Sequence, residues 1–377
     1  MDNITHTLFA LTVARTPLGR AGRGTTAALV LASNAPDIDI VTLTRGPVSY
    51  LKWHRGPTHG PLGVVGLAVA SAALVWLGRR LVDGRQAIRQ SAPTTDGNRN
   101  APFRMLVAAS LIGAILHVFM DVPTSYGTRV LSPFDWHWFA VDLMPIIDVY
   151  LLAVLAAGLA FGRQSAAAGQ RNVAIVLTLM AANYGVRVVG HGQAIGLAPR
   201  LFGPTLPPRC DTQAAAPRLP IDVWPRTQAT ESSTGRRCLV EVAAMPSFTS
   251  PFRWQIVARL SNAYELRDID LLDARWRQPD EELEAPWRTS LRYPNVWTPT
   301  VTHAAQTYLG QVFLGFSRFP AARSALDAHG VTTVRWTDVR FATGGVALEQ
   351  RRPGPNFFTA TVSVGPDGRI LQEGLGR

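Results

Sequence analysis

The chain has 377 residues, enough for two domains with a sizeable core. Its net charge of +11 rests almost wholly on arginine, because Lys52 is the sole lysine. The arginines are scattered and many stand in short loops between apolar runs, as the positive-inside rule of membrane proteins describes. This distribution argues against a phosphate-binding tract, so we expect no nucleic-acid partner.

The first half of the chain is dominated by apolar segments. Residues 4–15 and 25–36 form two short ones, which we expect to make a helical hairpin that dips into the bilayer or to extend into tilted helices. Longer segments meet or approach the roughly 20 residues that a spanning helix needs, at 61–78, 104–120, 145–162 and 172–190. The sequence therefore predicts a mainly α membrane domain of four to six helices over residues 1–190, with the lipid bilayer as its partner.

Arginine in the connecting loops indicates the orientation of this domain. The richest loops carry Arg15, Arg20, Arg23, Arg79, Arg80, Arg85, Arg89, Arg99, Arg104, Arg163 and Arg171. These loops should face the cytoplasm. For a bacterium this predicts a multi-pass protein of the inner (cytoplasmic) membrane, with both termini and the C-terminal domain on the periplasmic side.

The second half has a different pattern. Residues 191–237 are rich in Pro and Ala, which is typical of a linker. From residue 238 onward short runs favour strands, namely CLVEVAA, WQIVARL, VTTVRWTDVRF and FFTATVSV, whereas residues 302–316 favour a helix. We therefore expect a smaller α+β, strand-rich soluble domain over 238–377. Cys210 and Cys238 lack CxxC spacing, which disfavours a cysteine metal site.

Histidines and carboxylates cluster in the first half of the chain. Six of the eight histidines precede position 200, and five of them stand near carboxylates. In chain order the clusters contain Asp2 and His6; Asp37 and Asp39; His54 and His59; His117 and Asp121; Asp135, His137 and Asp142; and Asp148. With the predicted topology, the segment ends that bear these clusters reach the same face of the membrane.

Each cluster has a metal-binding interpretation and an ordinary one. His117 and Asp121 are four apart at the end of an apolar helix, so they share a face and could share a metal, or else form one hydrogen bond. His54 and His59 flank a predicted turn that could bring both rings together, or they are loop histidines without a function. The carboxylates of PDID could be ligands or could simply face water. Ionisable residues in a membrane segment are costly, which favours the functional interpretation.

The donor set is imidazole and carboxylate without thiolate. It suits a divalent metal in a hydrolytic site, with zinc preferred and manganese or iron as alternatives. Asp39 or Asp142 is the candidate general base for a metal-activated water. Arg55 and Arg129 adjoin the clusters and are candidates for binding an anionic substrate group, although each could instead face lipid headgroups.

Several motifs in series resemble a known family. MDNITHTLFA, APDIDI, HRGPTHG, LHVFMDVPTSYGTRVLSPF and FAVDLMPIID are similar in order and spacing to the YdjM-like family of LexA-regulated, membrane-bound metal-dependent hydrolases, over roughly residues 1–160. The resemblance implies a membrane location and a hydrolase. The family's pattern is also distantly similar to zinc-dependent phospholipase C, which implies a lipid or phosphoester substrate. By motif, the implied metal ligands are His6, Asp37, His54, His59, His117 and Asp121.

We therefore predict a membrane-bound metal-dependent hydrolase that acts on a membrane-proximal ester or phosphoester. A first alternative is a non-enzymatic transport or assembly protein with a structural metal site. A transporter should carry ionisable residues near the middle of its helices, whereas these stand at helix ends. A second alternative is a scaffold whose working part is the C-terminal domain.

Overall fold

The computed structural model describes residues 1–89, 100–161, 166–201, 212–214, 227–229, 238–273, 291–342 and 358–376. The chain divides into two compact units. The first comprises Met1–Ile40 with Arg55–Val188, and the second comprises Val41–His54 with Val189–Arg377. Residues 41–54 thus group with the C-terminal half of the chain, although the sequence placed them in the 1–190 membrane domain.

The helices of the chain lie mostly in the first unit, and a few belong to the second. In chain order the helices are α1 (Asn3–Val13), α2 (Thr25–Ala32), α3 (Pro47–Trp53), α4 (Pro61–Arg89), α5 (Phe103–Asp121), α6 (Val149–Ala160), α7 (Ala166–Leu201), α8 (Pro299–Ala304) and α9 (Tyr308–Phe316). A 3₁₀ helix covers Ala35–Arg45, and a short one covers Val339–Phe341. Helices α3, α8 and α9 and the last part of α7 belong to the second unit.

Three of these helices are long and apolar enough to cross a membrane. They are α4 over Pro61–Arg85, α5 over Phe103–Asp121 and α7 over Ala168–Ala198. Helix α2 and the 3₁₀ helix after it, bent by 44°, could form a fourth span. The predicted N-terminal helical region with several apolar spans is confirmed.

Two predicted segments have different bounds in the structure. Within its described residues, 145–161, the predicted segment 145–162 contains the 12-residue helix α6, because the side chain of Asp148 caps the first turn and the backbone is extended at Phe161. Helix α7 runs 36 residues to Leu201, into the range predicted as a linker.

Small residues allow the helices of the first unit to approach closely. A β-carbon on Gly113 of α5 would lie 2.6 Å from the carbonyl oxygen of Leu29 on α2. A β-carbon on Gly158 of α6 would lie 2.2 Å from Cγ2 of Val176 on α7. Such glycines are typical of helix contacts in membranes, where packing rather than the hydrophobic effect holds helices together.

The second unit contains two four-stranded antiparallel sheets. The strands are β1 (Thr212–Ala214), β2 (Thr227–Ala229), β3 (Leu239–Pro246), β4 (Arg253–Leu260), β5 (Ala263–Asp270), β6 (Leu291–Pro294), β7 (Pro320–Leu326), β8 (Thr332–Asp338), β9 (Thr359–Val364) and β10 (Ile370–Leu375). Strands β1 and β2 form a separate short pair, and the sheet orders are β3-β4-β5-β6 and β10-β9-β8-β7. This confirms the strand-rich second half, and the four predicted runs coincide with β3, β4, β8 and β9.

Both faces of the first sheet are buried. On one face Trp254 and Ile256 pack against Ala194 and Ala198, which are four apart near the end of α7. On the other face Val257 joins a core shared with the second sheet. The end of α7 therefore belongs to this core, which is the physical reason why residues 191–201 are helical rather than a linker.

Candidate metal centre

The C-terminal end of α5 supplies two donors to one buried cluster. His117 and Asp121 lie four residues apart on one face of the helix, and the His117 Nε2 to Asp121 Oδ2 distance is 3.5 Å. Both side chains are fully buried. A helix end is a position where the sequence can hold two donors rigidly on successive turns.

The turn before α4 supplies the second histidine. His59 Nε2 lies 3.2 Å from His117 Nε2 and 3.5 Å from Asp121 Oδ2. The next residue must be glycine, because a β-carbon on Gly60 would lie 1.6 Å from the carbonyl oxygen of Ser132. This close backbone approach fixes where the His59 ring enters the cluster.

The 3₁₀ helix supplies a second carboxylate. Asp37 Oδ1 lies 3.6 Å from the Nε2 atoms of both His59 and His117. The Asp37 side chain is 15% exposed, whereas those of His59, His117 and Asp121 are fully buried. The four-donor group (Asp37, His59, His117 and Asp121) therefore opens to its surroundings at Asp37.

The spacing of the four-donor group fits a metal ion. One ligand atom from each residue lies within 4.8 Å of all the others, and the five distances given above run from 3.2 to 3.6 Å. In a tetrahedral zinc site, ligand atoms about 2.0 Å from the ion are about 3.3 Å from one another. The group could therefore hold a metal ion of this size.

The hydrogen bonds around the two histidines direct their Nε2 lone pairs into the cluster. His117 Nδ1 donates to the carbonyl oxygen of Ser33 at 2.8 Å. His59 Nδ1 lies 3.0 Å from Thr58 Oγ1, whose hydroxyl donates to Asp39 Oδ2 at 3.4 Å. A partner on Nδ1 that fixes the ring and leaves Nε2 for the ion is a recurring feature of metal-binding histidines.

The electrostatics of the cluster also favour a cation. Burial lowers the pKa of His59 to about 3, so its imidazole is neutral, as a metal ligand must be. Among the residues that the structure describes, the buried Asp121 Oδ2 accepts no hydrogen bond. A buried carboxylate oxygen is costly without a partner, and a cation between it and the two Nε2 atoms would satisfy all three.

Nitrogen groups of two residues contact the other oxygen of Asp121. Arg55 Nη2 lies 3.2 Å from Oδ1, and the α-amino group of Met1 also contacts it. Arg55 has a positive φ of 51° and donates its backbone N–H to Asp39 Oδ2 at 2.7 Å. Asp39 Oδ2 also lies 3.8 Å from His59 Nδ1, on the side of the ring that faces away from the cluster.

Two of the six expected ligands lie outside the four-donor group. The His6 ring stacks on His117 with centroids 3.9 Å apart, and its Nε2 lies 3.4 Å from Asp121 Oδ1. It is therefore a neighbour of the group. His54 ends α3 in the second unit, and its ring stacks on Tyr50 at 4.5 Å.

The candidate substrate arginine Arg129 and the candidate base Asp142 are both buried. The guanidinium of Arg129 lies over the rings of Trp136 and Trp138, at 5.1 and 4.2 Å from their centroids. Burial lowers the pKa of Arg129 to about 9, which leaves it charged at neutral pH. Asp142 has a positive φ of 60° and is not a member of the four-donor group.

The sequence interpretation missed two residues of the cluster, Ser33 and Thr58. Thr58 could have been found, since it directly precedes His59 in HRGPTHG and carries a hydroxyl. Ser33 contributes its backbone carbonyl from the C-cap of α2. Every residue has a carbonyl, so no sequence signal marks it.

The apolar spans and the buried His/Asp group define a class: multi-pass membrane proteins with a site that could hold a metal ion. The family model described as "YdjM inner membrane protein" matches residues 1–194 of the 377-residue chain. The chain belongs to this family, which confirms the resemblance in its motifs. It is a multi-pass inner membrane protein.

The match to a curated relative covers a smaller part of the chain. "Uncharacterized protein YfhP" of Bacillus subtilis (strain 168) is 30% identical over 124 residues, which are 33% of this chain. The match covers 32% of that protein, so the chain spans about a third of its length. No solved structure matches the chain.

Proposed function

We propose that this protein is a metal-dependent hydrolase that acts on a membrane-proximal, lipid-like ester or phosphoester. The observation that carries the proposal is the four-donor group itself. Its two histidines and two carboxylates have tetrahedral spacing, and one of them, Asp37, is partly exposed. Zinc is the preferred metal because the donors are imidazole and carboxylate at this spacing, and manganese or iron would also suit them.

The buried residues His59, His117 and Asp121 would hold the metal, together with Asp37. When bound, such a metal supplies an acidified water and polarises the ester or phosphoryl oxygen. Ser33, Thr58 and Asp39 hold the two imidazoles in the orientation that this requires. Arg55 balances the charge of Asp121 from behind.

Asp37 is the carboxylate best placed to accept a proton from the attacking water. It stands at the exposed edge of the four-donor group, where water and substrate can arrive. Asp39 lies behind His59 and already accepts the Arg55 N–H, which suits an orienting role better than that of a general base. Asp142 is retained as an alternative base.

The two arginines have different surroundings. Arg55 donates to Thr124 Oγ1 and the Gly127 carbonyl, each at 3.3 Å, besides contacting Asp121. Its role in the proposal is therefore to position Asp121. Arg129 keeps its charge and remains our candidate for attracting an anionic group of the substrate.

One observation favours the non-enzymatic alternative, a transport or assembly protein with a structural metal site. Four protein donors complete a tetrahedral shell, and closed shells are typical of structural zinc, whereas catalytic zinc keeps a position for water. The partial exposure of Asp37 is what separates the two functions. The site is catalytic if Asp37 leaves the metal so that water can take its place, or if Asp37 accepts a proton from that water.

The test measures bound metal and hydrolysis in purified full-length protein. We expect metal in the parent chain and in His137→Ala, an exposed histidine paired with Asp135 outside the group, and its loss in His59→Ala and His117→Ala. Asp37→Asn should keep metal on the three buried donors His59, His117 and Asp121, and should lose phosphodiester hydrolysis by about 10²-fold or more.

The outcomes separate the alternatives. Unchanged metal content in both histidine variants would contradict the metal centre. Metal that is bound without any hydrolysis of soluble or lipid esters and phosphoesters by the parent chain would support the structural-site alternative.

A further inference from the structure

The connection between α5 and α6 contains a loop whose two ends are hydrogen-bonded to each other. Thr128 and Phe139 exchange both backbone hydrogen bonds, at 2.9 and 3.0 Å. The ten residues between them form what we call the 129–138 loop. These two hydrogen bonds hold the ends of the loop together.

This loop adjoins the metal centre. The carbonyl of Ser132 packs against Gly60, directly beside His59. The backbone N–H of Arg129 donates to the carbonyl of Arg55 at 3.0 Å. The medium around the tip of the loop, whether water, lipid or protein, therefore lies next to the metal centre.

The loop exposes two large apolar side chains beside the polar pair formed by Asp135 and His137. Phe134 is 74% exposed and Leu131 is 44% exposed, whereas Ser132 and Arg129 are buried. Val141 just beyond the loop is 46% exposed. Large apolar side chains that are exposed close together mark contact with another apolar phase.

The exposed apolar surface continues from the spanning helices onto the loop. Near the end of α5 Ile115 and Phe119 are 50% and 70% exposed, and α6 begins with the exposed residue Val149. Beside Asp37, Ile38 is 56% exposed. Exposed apolar side chains are thus present near the end of α5, at the start of α6, on the loop and beside Asp37.

The backbone of the loop restricts its depth in the bilayer. Irregular backbone that faces lipid is not tolerated in the hydrocarbon core, because its polar groups need water or protein partners. The half-buried Trp136 and the exposed Asp135–His137 pair suit the headgroup level, where amphipathic aromatic side chains are typical. Both constraints are met when the backbone lies among headgroups and the apolar tip points toward the acyl chains.

We propose that the 129–138 loop inserts Leu131 and Phe134 into the bilayer at the headgroup–acyl boundary and opens the metal centre to the lipid phase. The substrate class that fits is an amphiphile with acyl chains and an ester or phosphoester near its headgroup. The substrate part of this inference rests on the proposed function, whereas the insertion of the loop does not.

The insertion can be measured without any assay of activity. Full-length Phe134→Cys protein carries a nitroxide label in vesicles of phosphatidylethanolamine and phosphatidylglycerol, and collisions with oxygen and with a water-soluble nickel chelate report its depth. The matched control is Leu326→Cys in β7, where the native side chain is 72% exposed. The unsubstituted chain treated with the same label supplies the background.

We expect the label at 134 to collide with oxygen and be shielded from nickel, and the label at 326 to be open to nickel. A label at 134 that is as open to nickel as the control would overturn the insertion. A label at 134 that neither reagent reaches would overturn it too, because protein would then cover the loop.

The substrate class has its own test. We compare the rate of hydrolysis of a diacyl phosphoester in vesicles with that of a soluble phosphodiester. Phe134→Ser should lower the ratio of the first rate to the second by about tenfold, because one anchoring aromatic side chain is lost. An unchanged ratio would overturn the lipid-phase substrate. A parent chain inactive on both substrates would overturn the proposed function and leave the depth result standing.

Discussion

At the scale of single residues, the metal centre depends on groups that would not touch the metal. Asp39 is an example, because one of its oxygens accepts the backbone N–H of Arg55 and the hydroxyl of Thr58, which in turn lies against His59. It therefore joins the 3₁₀ helix to the His59 turn. Outer partners of this kind orient the ligands and raise their affinity.

We predict that Asp39→Ala weakens metal binding by about 10–100-fold, since the His59 turn loses its anchor. The control variant is His54→Ala. The motifs imply His54 as a ligand, but in the structure its ring stacks on Tyr50. Its metal affinity should equal that of the parent chain in a competitive chelator titration. Loss of metal in His54→Ala as severe as in His59→Ala would contradict the four-donor group.

At the scale of elements, the contact between α2 and α5 sets the geometry of the site. The C-cap of α2 carries the Ser33 carbonyl, and α5 carries His117, which donates to it at 2.8 Å. Gly113 lies one turn before His117 and faces the backbone of α2 at Leu29. A change in the separation of these helices would therefore move a metal ligand.

We predict that Gly113→Ala lowers the free energy of unfolding by about 1–3 kcal/mol, because the new methyl group overpacks the α2 backbone. The matched control is Gly78→Ala on α4, where an added β-carbon meets no atom within 4 Å. The melting temperatures of both variants in detergent, compared with the parent chain, measure the effect. Equal melting temperatures for the two variants would show that α2 and α5 do not pack this closely.

At the scale of the whole molecule, we propose that the second unit lies on the periplasmic side, which requires the 12-residue apolar helix α6 to cross the membrane between α5 and α7. The loop between α4 and α5 is the richest in arginine, with six between residues 79 and 104. It should stay in the cytoplasm, because arginine near the ends of spans opposes translocation.

Cysteine labelling in intact cells tests this orientation. We predict that an impermeant thiol reagent modifies Leu326→Cys and does not modify Arg85→Cys, because the two positions should face opposite sides; both native side chains are exposed. The unsubstituted chain controls for the native cysteines, and permeabilised cells control for accessibility. Modification of Arg85→Cys alone would reverse the proposed orientation.

Much of this organisation is determined by the sequence itself. Hydropathy and strand periodicity are properties of neighbouring residues, so they locate α4, α5, α7 and several strands of the second unit without tertiary information. His117 and Asp121 share a face because of helical spacing alone. The motifs likewise identify the family over the N-terminal half.

Only the tertiary structure decides which residues meet. Asp148 looked like a member of the His/Asp clusters, yet its carboxylate pairs with Arg187 of α7 at 2.5 Å. His54 and His59 are equivalent by motif, but only His59 joins the four-donor group, since Gly60 lets its turn pack against Ser132. Such choices depend on contacts between residues distant in sequence, whose energies no local pattern contains.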